Sequence, residues 1–135
     1  MMSTNETAME SRLSLIPAMI EKLRSNPELR SCLDGRNSAF YIAMSEALAN
    51  AVTHGNRNEP SRKVYVHWTC EPDGALSILI RDEGNGFDPG DTATPKDIGE
   101  DRNRGISLMR SYMDDVQFLH NGTEVYMHMN GLERP

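Results

Sequence analysis

The sequence lacks both a long apolar run and a cluster of basic residues. The 135-residue chain has 14 Lys and Arg residues against 20 Asp and Glu residues, which gives a formal net charge of −6. Because proteins that hold a nucleic-acid backbone usually present a clustered basic face, we expect no direct nucleic-acid binding. No apolar run approaches the length of a membrane helix, and the polar start of the chain does not resemble a signal peptide. These absences predict a soluble, cytoplasmic protein that does not associate with membranes.

Cysteine is also scarce. The chain has two cysteines, Cys32 and Cys70, and their spacing matches no metal-binding motif. Since disulfides are rare in cytosolic proteins, we expect both thiols to be reduced. Neither cysteine is therefore assigned to a functional site.

The length of the chain limits the number of domains that it can form. A chain of 135 residues can build one domain with its own core but is too short for two domains of ordinary size. We predict a flexible N-terminus over residues 1–10, a single domain over residues 11–130 and a short tail over residues 131–135.

Two helices are predicted in the first half of the chain. The apolar pattern from Leu13 to Leu23 predicts a short extended piece and then an amphipathic helix with Pro17 in its first turn. The pair Asn26-Pro27 predicts the start of a linker. The following segment, Ser38–Thr53, is rich in Ala, Met and Leu and contains neither Gly nor Pro, so it predicts the central helix.

Two hairpins are predicted in the second half. Apolar residues alternate with polar ones in the first hairpin, whose inward positions are Val64, Val66, Trp68, Cys70, Leu76, Ile78 and Ile80. A polar segment, residues 89–104, is too long for an ordinary connector and predicts a lid loop. A helix starting near Gly105 and a last hairpin turning at Asn121-Gly122 follow. This order predicts an α+β fold with two layers, a mixed and mostly antiparallel sheet covered on one face by about three helices.

Two polar motifs point to a nucleotide site. Glu46, Asn50 and His54 are each four residues apart in the central helix, so they lie on one face. The motif Asp82-Glu83-Gly84-Asn85-Gly86 follows the apolar run of a strand, and its glycines permit a close approach of the backbone to a ligand. His54 lies at the helix end, where its charge complements the helix dipole, and we do not assign it a catalytic role.

Four ordered blocks resemble a known ATPase domain. The blocks are residues 46–56, residues 82–86, residues 104–116 and Gly122-Thr123. They resemble the domain shared by gyrase, Hsp90, histidine kinases and MutL, and within that group they are most similar to the anti-sigma factor serine/threonine kinases. The resemblance covers about residues 36–130 and implies the Bergerat-type ATP-binding fold.

The resemblance implies roles for two residues of the central helix. Asn50 would hold Mg²⁺, which prefers oxygen ligands and bridges phosphates. Glu46, one turn earlier, would orient the attacking hydroxyl or take its proton. ATP and Mg²⁺ are therefore the expected cofactors.

The resemblance also implies which residues contact the base. Asp82 would accept a hydrogen bond from the adenine amino group. Gly84 and Gly86 would let the backbone close over the base and sugar, and Thr123 would support the aspartate through a hydroxyl or a water molecule.

The remaining implied contacts are with the phosphates. Gly105 would open a helix whose N-terminal amides face the phosphate oxygens. Arg104 or Arg102 would reach the same phosphates from the lid. Asn103 stands where the family usually has a further glycine, a departure that bears on lid motion more than on binding.

Three functions remain open at the level of sequence. The first is a serine/threonine kinase that phosphorylates an anti-anti-sigma partner with a STAS domain and sequesters a sigma factor. The second is an ATP-binding interaction module in which the nucleotide sets conformation and no phosphate moves. The third is the catalytic domain of a split histidine kinase. Relatives in the family commonly form homodimers, so a homodimer is possible here.

Overall fold

A five-stranded antiparallel sheet with helices on one face forms the protein in the computed structural model, which describes residues 3–84 and 100–131. The strands are β1 (Ser3–Glu10), β2 (Lys63–Cys70), β3 (Leu76–Arg81), β4 (Asp115–Leu119) and β5 (Glu124–Met129), in the spatial order β1-β2-β3-β5-β4. The helices are α1 (Ile16–Ser25), α2 (Pro27–Ser31), α3 (Asn37–Asn50) and α4 (Glu100–Tyr112).

The predicted two-layer α+β fold is confirmed. Every pairing among the described strands is antiparallel, so the parallel component expected of a mixed sheet is not found there. Alternate residues of β2, β3 and β5 are buried, and the residues between them are half-buried or exposed. The buried residues pack against the helices in one core, whose largest fully buried side chains include Phe40, Ile20, Met44, Leu48, Ile78 and Met127.

The first strand is a correction to the sequence prediction. Residues 1–10 were expected to be flexible, but Ser3–Glu10 forms β1 and pairs with β2 along its whole length. The segment is polar because β1 is an edge strand, and its backbone hydrogen bonds do not depend on apolar side chains. Met9 lies opposite Val64 and is buried, which ties the strand to the core.

The helices differ from the prediction at their ends. Pro17 lies in the first turn of α1, as predicted. The linker expected after Asn26 is instead the short helix α2, because the Asn26 side chain accepts hydrogen bonds from two backbone amides at its start. The central helix α3 continues into a π-helical turn, Ala51–Gly55.

The start of α4 is a second correction. Residues 89–104 were expected to form a lid loop with a helix beginning near Gly105. Helix α4 begins at Glu100, and residues 89–99 lie outside the described residues. Within the described part of the chain, no helix is long and apolar enough to cross a membrane.

Cys32 and Cys70 form a disulfide, so the expectation of two reduced thiols is wrong. Their Cα atoms lie 6.4 Å apart, within the range that a disulfide spans. The end of α2 packs against the end of β2, and sequence spacing cannot reveal that proximity. Both side chains are buried, so the bond fastens the chain just before α3 to the sheet.

Reduction of this disulfide is expected to lower the free energy of unfolding. Closing a loop with a sequence separation of 38 residues restricts the unfolded chain, which stabilises the fold by about 4 kcal/mol. Urea unfolding of oxidised and reduced protein measures the difference, and a Cys32→Ala/Cys70→Ala variant serves as the control that reductant leaves unchanged. Equal unfolding midpoints for oxidised and reduced wild-type protein would contradict the bond.

Arg36 also holds the start of α3 in place, through hydrogen bonds to three backbone carbonyls. Its guanidinium donates to the carbonyl oxygens of Cys32 at 2.6 Å, Gly74 at 2.7 Å and Asn130 at 2.6 Å. Burial lowers the pKa of Arg36, and the nearby Asp114 carboxylate opposes that shift. The disulfide and this cluster hold one end of α3, and the functional side chains lie at its other end.

Candidate functional site

A small cleft lies between the last turns of α3 and the middle of α4, above the adjoining ends of β3 and β5. Its walls come from five elements and from the β4–β5 turn. The lining residues are Ala47, Asn50, Ala51, Ile80, Asp82, Met109, Phe118, Gly122, Thr123 and Val125. Most of them are apolar or small, and two are polar side chains from the motifs singled out in the sequence. An apolar cleft with a few converging polar groups is the usual form of a small-molecule site.

Asp82 provides the carboxylate of this cleft. It follows β3 directly and is only 7% exposed. Its backbone N–H donates to the Thr123 carbonyl at 2.9 Å, and its Oδ1 accepts the Gly84 N–H at 2.8 Å. The carboxylate is thus held in one orientation within an apolar surround. A carboxylate in this position is suited to accept a hydrogen bond from an exocyclic amine.

Two glycines allow the backbone to pack tightly around Asp82. A Cβ added to Gly55 would come well within 3.0 Å of the Asp82 carboxylate. A Cβ added to Gly84 would come equally close to the Gly55 carbonyl. The π-helical turn therefore lies directly against the turn that carries Asp82, at a separation that only glycine permits at both positions.

Asn50 lines the cleft, and Glu46 lies one turn earlier on α3. Both face Gly105 of α4: a Cβ added to Gly105 would lie 2.8 Å from Glu46 Oε2 and 3.6 Å from Asn50 Oδ1. The glycine lets α4 cross these side chains without a clash. The spacing predicted from sequence is thus realised, with an acid and an amide facing the same point.

This architecture is matched by a model of a known protein family, described as a histidine kinase-like ATPase domain, over residues 9–129. The chain belongs to this family. The match extends over all five strands except the first part of β1, so it includes every element that lines the cleft.

Curated relatives of this ATPase domain are named anti-sigma F factor. The relative from Oceanobacillus iheyensis is 37% identical over 92 residues, which are 62% of each chain. The relative from Priestia megaterium is 34% identical over 92 residues, 62% of this chain and 63% of that protein. The relative from Heyndrickxia coagulans is 37% identical over 79 residues, 55% of this chain and 54% of that protein. The matches thus span less than two thirds of the length of these relatives.

The residues of the ATPase domain fit the Mg²⁺ that the sequence resemblance implies. Asn50 lines the cleft, and its Nδ2 is buried with no hydrogen-bond partner among the described residues, so no acceptor in that part of the chain holds the nitrogen of this amide. Mg²⁺ keeps several waters and is usually held by one or two protein oxygens together with substrate phosphates. The Asn50 amide oxygen is a ligand of that kind.

The structure brings most of the predicted site residues together, with two changes. The Thr123 hydroxyl donates to the His120 carbonyl at 2.8 Å, and the Thr123 carbonyl is the group that holds the Asp82 amide. Gly105 lies inside α4, so its expected role as an amide donor at a helix N-terminus is wrong, and its contribution is the close approach to Glu46. Arg104 precedes it on the exposed surface of α4. Gly86 lies outside the described residues.

Several cleft residues were not found by sequence reasoning. The apolar walls include Ile80, Met109 and Phe118, none of which the sequence analysis assigned to the site. Gly55 was noted as part of a motif, but its packing against Asp82 depends on a π-helical turn that no residue pattern predicts. Asn56, which follows that turn, was likewise assigned no role.

Proposed function

We propose that this protein is an ATP-dependent serine/threonine kinase of the anti-sigma factor type, which binds Mg-ATP and phosphorylates an anti-anti-sigma partner. The observation that carries the proposal is the arrangement of three side chains. Asp82 and Asn50 line the cleft, and Glu46 lies one turn from Asn50 on the same face of α3. The Asp82 side of the cleft thus suits a base, and the side of Asn50 and Glu46 suits phosphates and a hydroxyl nucleophile.

The base end favours adenine. Ile80, Met109 and Phe118 offer apolar contacts to the faces and edges of a planar ring. The Asp82 carboxylate accepts a hydrogen bond from the amino group at position 6 of adenine. Guanine has a carbonyl oxygen at that position, which a carboxylate repels. The site therefore selects ATP over GTP.

The phosphate end performs the transfer. The serine or threonine hydroxyl of the partner attacks the γ-phosphorus, the bond from that phosphorus to the β-phosphate oxygen breaks, and ADP leaves. Glu46 orients the hydroxyl and accepts its proton. Asn50 would hold Mg²⁺, which would supply neutralisation of the charge on the phosphates. Positioning and charge neutralisation account for most of the acceleration in such reactions.

The partners follow from the similarity to anti-sigma F factors. We infer that the protein sequesters a sigma factor and phosphorylates a STAS-domain protein that competes for it. The relatives' names support binding to a sigma factor. The carboxylate–amide pair on α3 supports catalysis in addition to binding, because a binding module has no need of Glu46 beside a phosphate site.

The assignment of Asp82 is tested by the Asp82→Asn variant. Losing a hydrogen bond to a charged group is expected to weaken ATP binding roughly 10- to 100-fold. GTP binding is expected to strengthen, because the amide removes the charge that repels the guanine carbonyl oxygen and can donate to that oxygen. Calorimetric titration with ATP and GTP in the presence of Mg²⁺ measures both affinities.

The matched control for this test is Asp73→Asn. Asp73 is also a turn carboxylate that accepts a backbone amide, but it lies at the opposite end of β3. Its substitution is expected to leave nucleotide affinity unchanged. Equal affinity of the wild-type protein for ATP and GTP would remove the adenine assignment.

A further inference from the structure

Three polar residues are buried in the described part of the chain, Ser11, Asn56 and Asp82, and two of them contact each other directly. Asn56 is fully buried and follows the π-helical turn. It lies outside the cleft and has no part in the proposed transfer of phosphate. A buried amide is costly unless all its polar groups are paired, so its hydrogen bonds indicate what it holds.

The Asn56 side chain joins three separate segments. Its Nδ2 donates to Ser11 Oγ at 2.7 Å, after β1, and to the Lys63 carbonyl at 3.0 Å, at the start of β2. Its Oδ1 accepts the Glu83 N–H at 2.7 Å, in the turn after β3. Both amide hydrogens and the amide oxygen are therefore used.

The orientation of the amide follows from its neighbours. Ser11 donates its hydroxyl hydrogen to the Arg62 carbonyl at 2.7 Å, so its oxygen acts as the acceptor toward Asn56. The Lys63 carbonyl also accepts, and the Glu83 N–H can only donate. The amide nitrogen thus faces Ser11 and Lys63, and the oxygen faces Glu83.

The bond to Glu83 completes the support of the Asp82 turn. Three successive backbone amides are held there: that of Asp82 by the Thr123 carbonyl, that of Glu83 by Asn56, and that of Gly84 by the Asp82 carboxylate. Asn56, the acceptor for Glu83, belongs to the segment that follows the π-helical turn. Without it, the turn keeps its hydrogen bond to Thr123 and loses the one that Asn56 supplies.

We propose that Asn56 is a positioning residue for the Asp82 carboxylate and thereby sets the preference for ATP over GTP. The inference rests on the proposed function, which assigns base recognition to Asp82. Asn56 does not touch the nucleotide. It acts by fixing the backbone immediately after Asp82, so that the carboxylate lies where an amino group at position 6 of the base can donate to it.

A purely structural role and a positioning role predict different results. If Asn56 only stabilises the fold, its loss lowers the folded fraction and weakens binding of both nucleotides equally. If it positions Asp82, its loss weakens binding of ATP and has little effect on GTP, which gains no hydrogen bond from the carboxylate. The ratio of the two dissociation constants distinguishes these roles independently of stability.

The experiment measures the binding of ATP and of GTP, each with Mg²⁺, to the full chain and its variants by calorimetry, with circular dichroism to verify folding. Asn56→Ala is expected to reduce the ATP preference on the order of tenfold. Asn56→Ser replaces Asn56→Ala in the same measurement if the alanine variant does not fold, since its hydroxyl is too short to reach Glu83.

The matched control is Ser11→Ala, which removes the hydrogen bond between Asn56 and Ser11 and leaves the bonds of Asn56 to Lys63 and Glu83 in place. It is expected to lower stability and to keep the wild-type ATP preference. A folded Asn56→Ala or Asn56→Ser variant with the wild-type preference overturns the positioning role, as does an equal loss in Ser11→Ala. A wild-type protein with no preference for ATP overturns the proposed function itself, and this result is distinct from either of the others.

Discussion

Glu46→Gln is expected to lower the rate of phosphate transfer roughly 10²–10⁴-fold, the usual contribution of a positioned general base. The substitution keeps the size of the side chain and its place against Gly105 but removes the ability to accept a proton at neutral pH. ATP affinity is expected to stay close to that of the wild-type protein, because the role proposed for Glu46 is toward the hydroxyl nucleophile and not toward the base. Single-turnover transfer from labelled ATP gives the rate, and calorimetry gives the affinity.

Asn50→Ala is the contrasting variant for this prediction. Asn50 lies one turn from Glu46 on the same helix face, so both substitutions perturb the same part of α3. The loss of the Asn50 oxygen is expected to weaken binding of Mg-ATP, and the loss of the Glu46 carboxylate is not. If both variants lose binding and transfer to the same extent, the separate roles assigned to these two residues are wrong.

Gly84→Ala is expected to lower turnover nearly as strongly as Glu46→Gln, although the added group is a single methyl. The new Cβ would come well within 3.0 Å of the Gly55 carbonyl, so the Asp82 turn and the π-helical turn must move apart by more than an ångström. Displacements of that size cost about 10²-fold in turnover at sites that depend on exact orientation. Forcing backbone against backbone is also expected to lower the free energy of unfolding by roughly 1–3 kcal/mol.

Gly35→Ala separates the effect on the site from the effect on stability. Gly35 has a φ of +73° with nothing within 4 Å of an added Cβ, so alanine there is strained by its backbone conformation alone. It lies before α3, at the opposite end of that helix from Asn50. The variant is expected to lose stability by about 1–2 kcal/mol and to bind ATP normally. Normal ATP binding and turnover in a folded Gly84→Ala protein would contradict the close packing around Asp82.

The sheet and the central helix were predictable because their residue patterns match their periodicities. Val64, Val66 and Trp68 alternate with polar residues, and this alternation alone indicates one buried face of β2. The N-terminal strand β1 escaped prediction because an edge strand with one well-buried methionine has no clear alternation of apolar side chains. The disulfide could not be predicted because pairing depends on the distance in space between two cysteines that are far apart in the sequence.

The residues of the candidate site likewise fall into those that could be predicted from the sequence and those that could not. Glu46 and Asn50 were predictable because helical spacing alone places them on one face. Asp82 and Gly84 were predictable because their motif follows a strand. Asn56 was not, since its role depends on hydrogen bonds to three segments that only the folded chain brings together.

Transfer of phosphate to a partner protein is the central claim. The most direct measurement incubates the purified protein with Mg-[γ-³²P]ATP and the STAS-domain proteins encoded in the same genome, followed by phosphoamino acid analysis of the labelled partner. The kinase proposed here predicts label on a serine or threonine of one partner, with little label when Glu46→Gln replaces the wild-type protein. Acid-labile label on a histidine would indicate a split histidine kinase, and ATP binding without label on any STAS-domain protein would indicate an interaction module. Either result would contradict the proposed serine/threonine kinase.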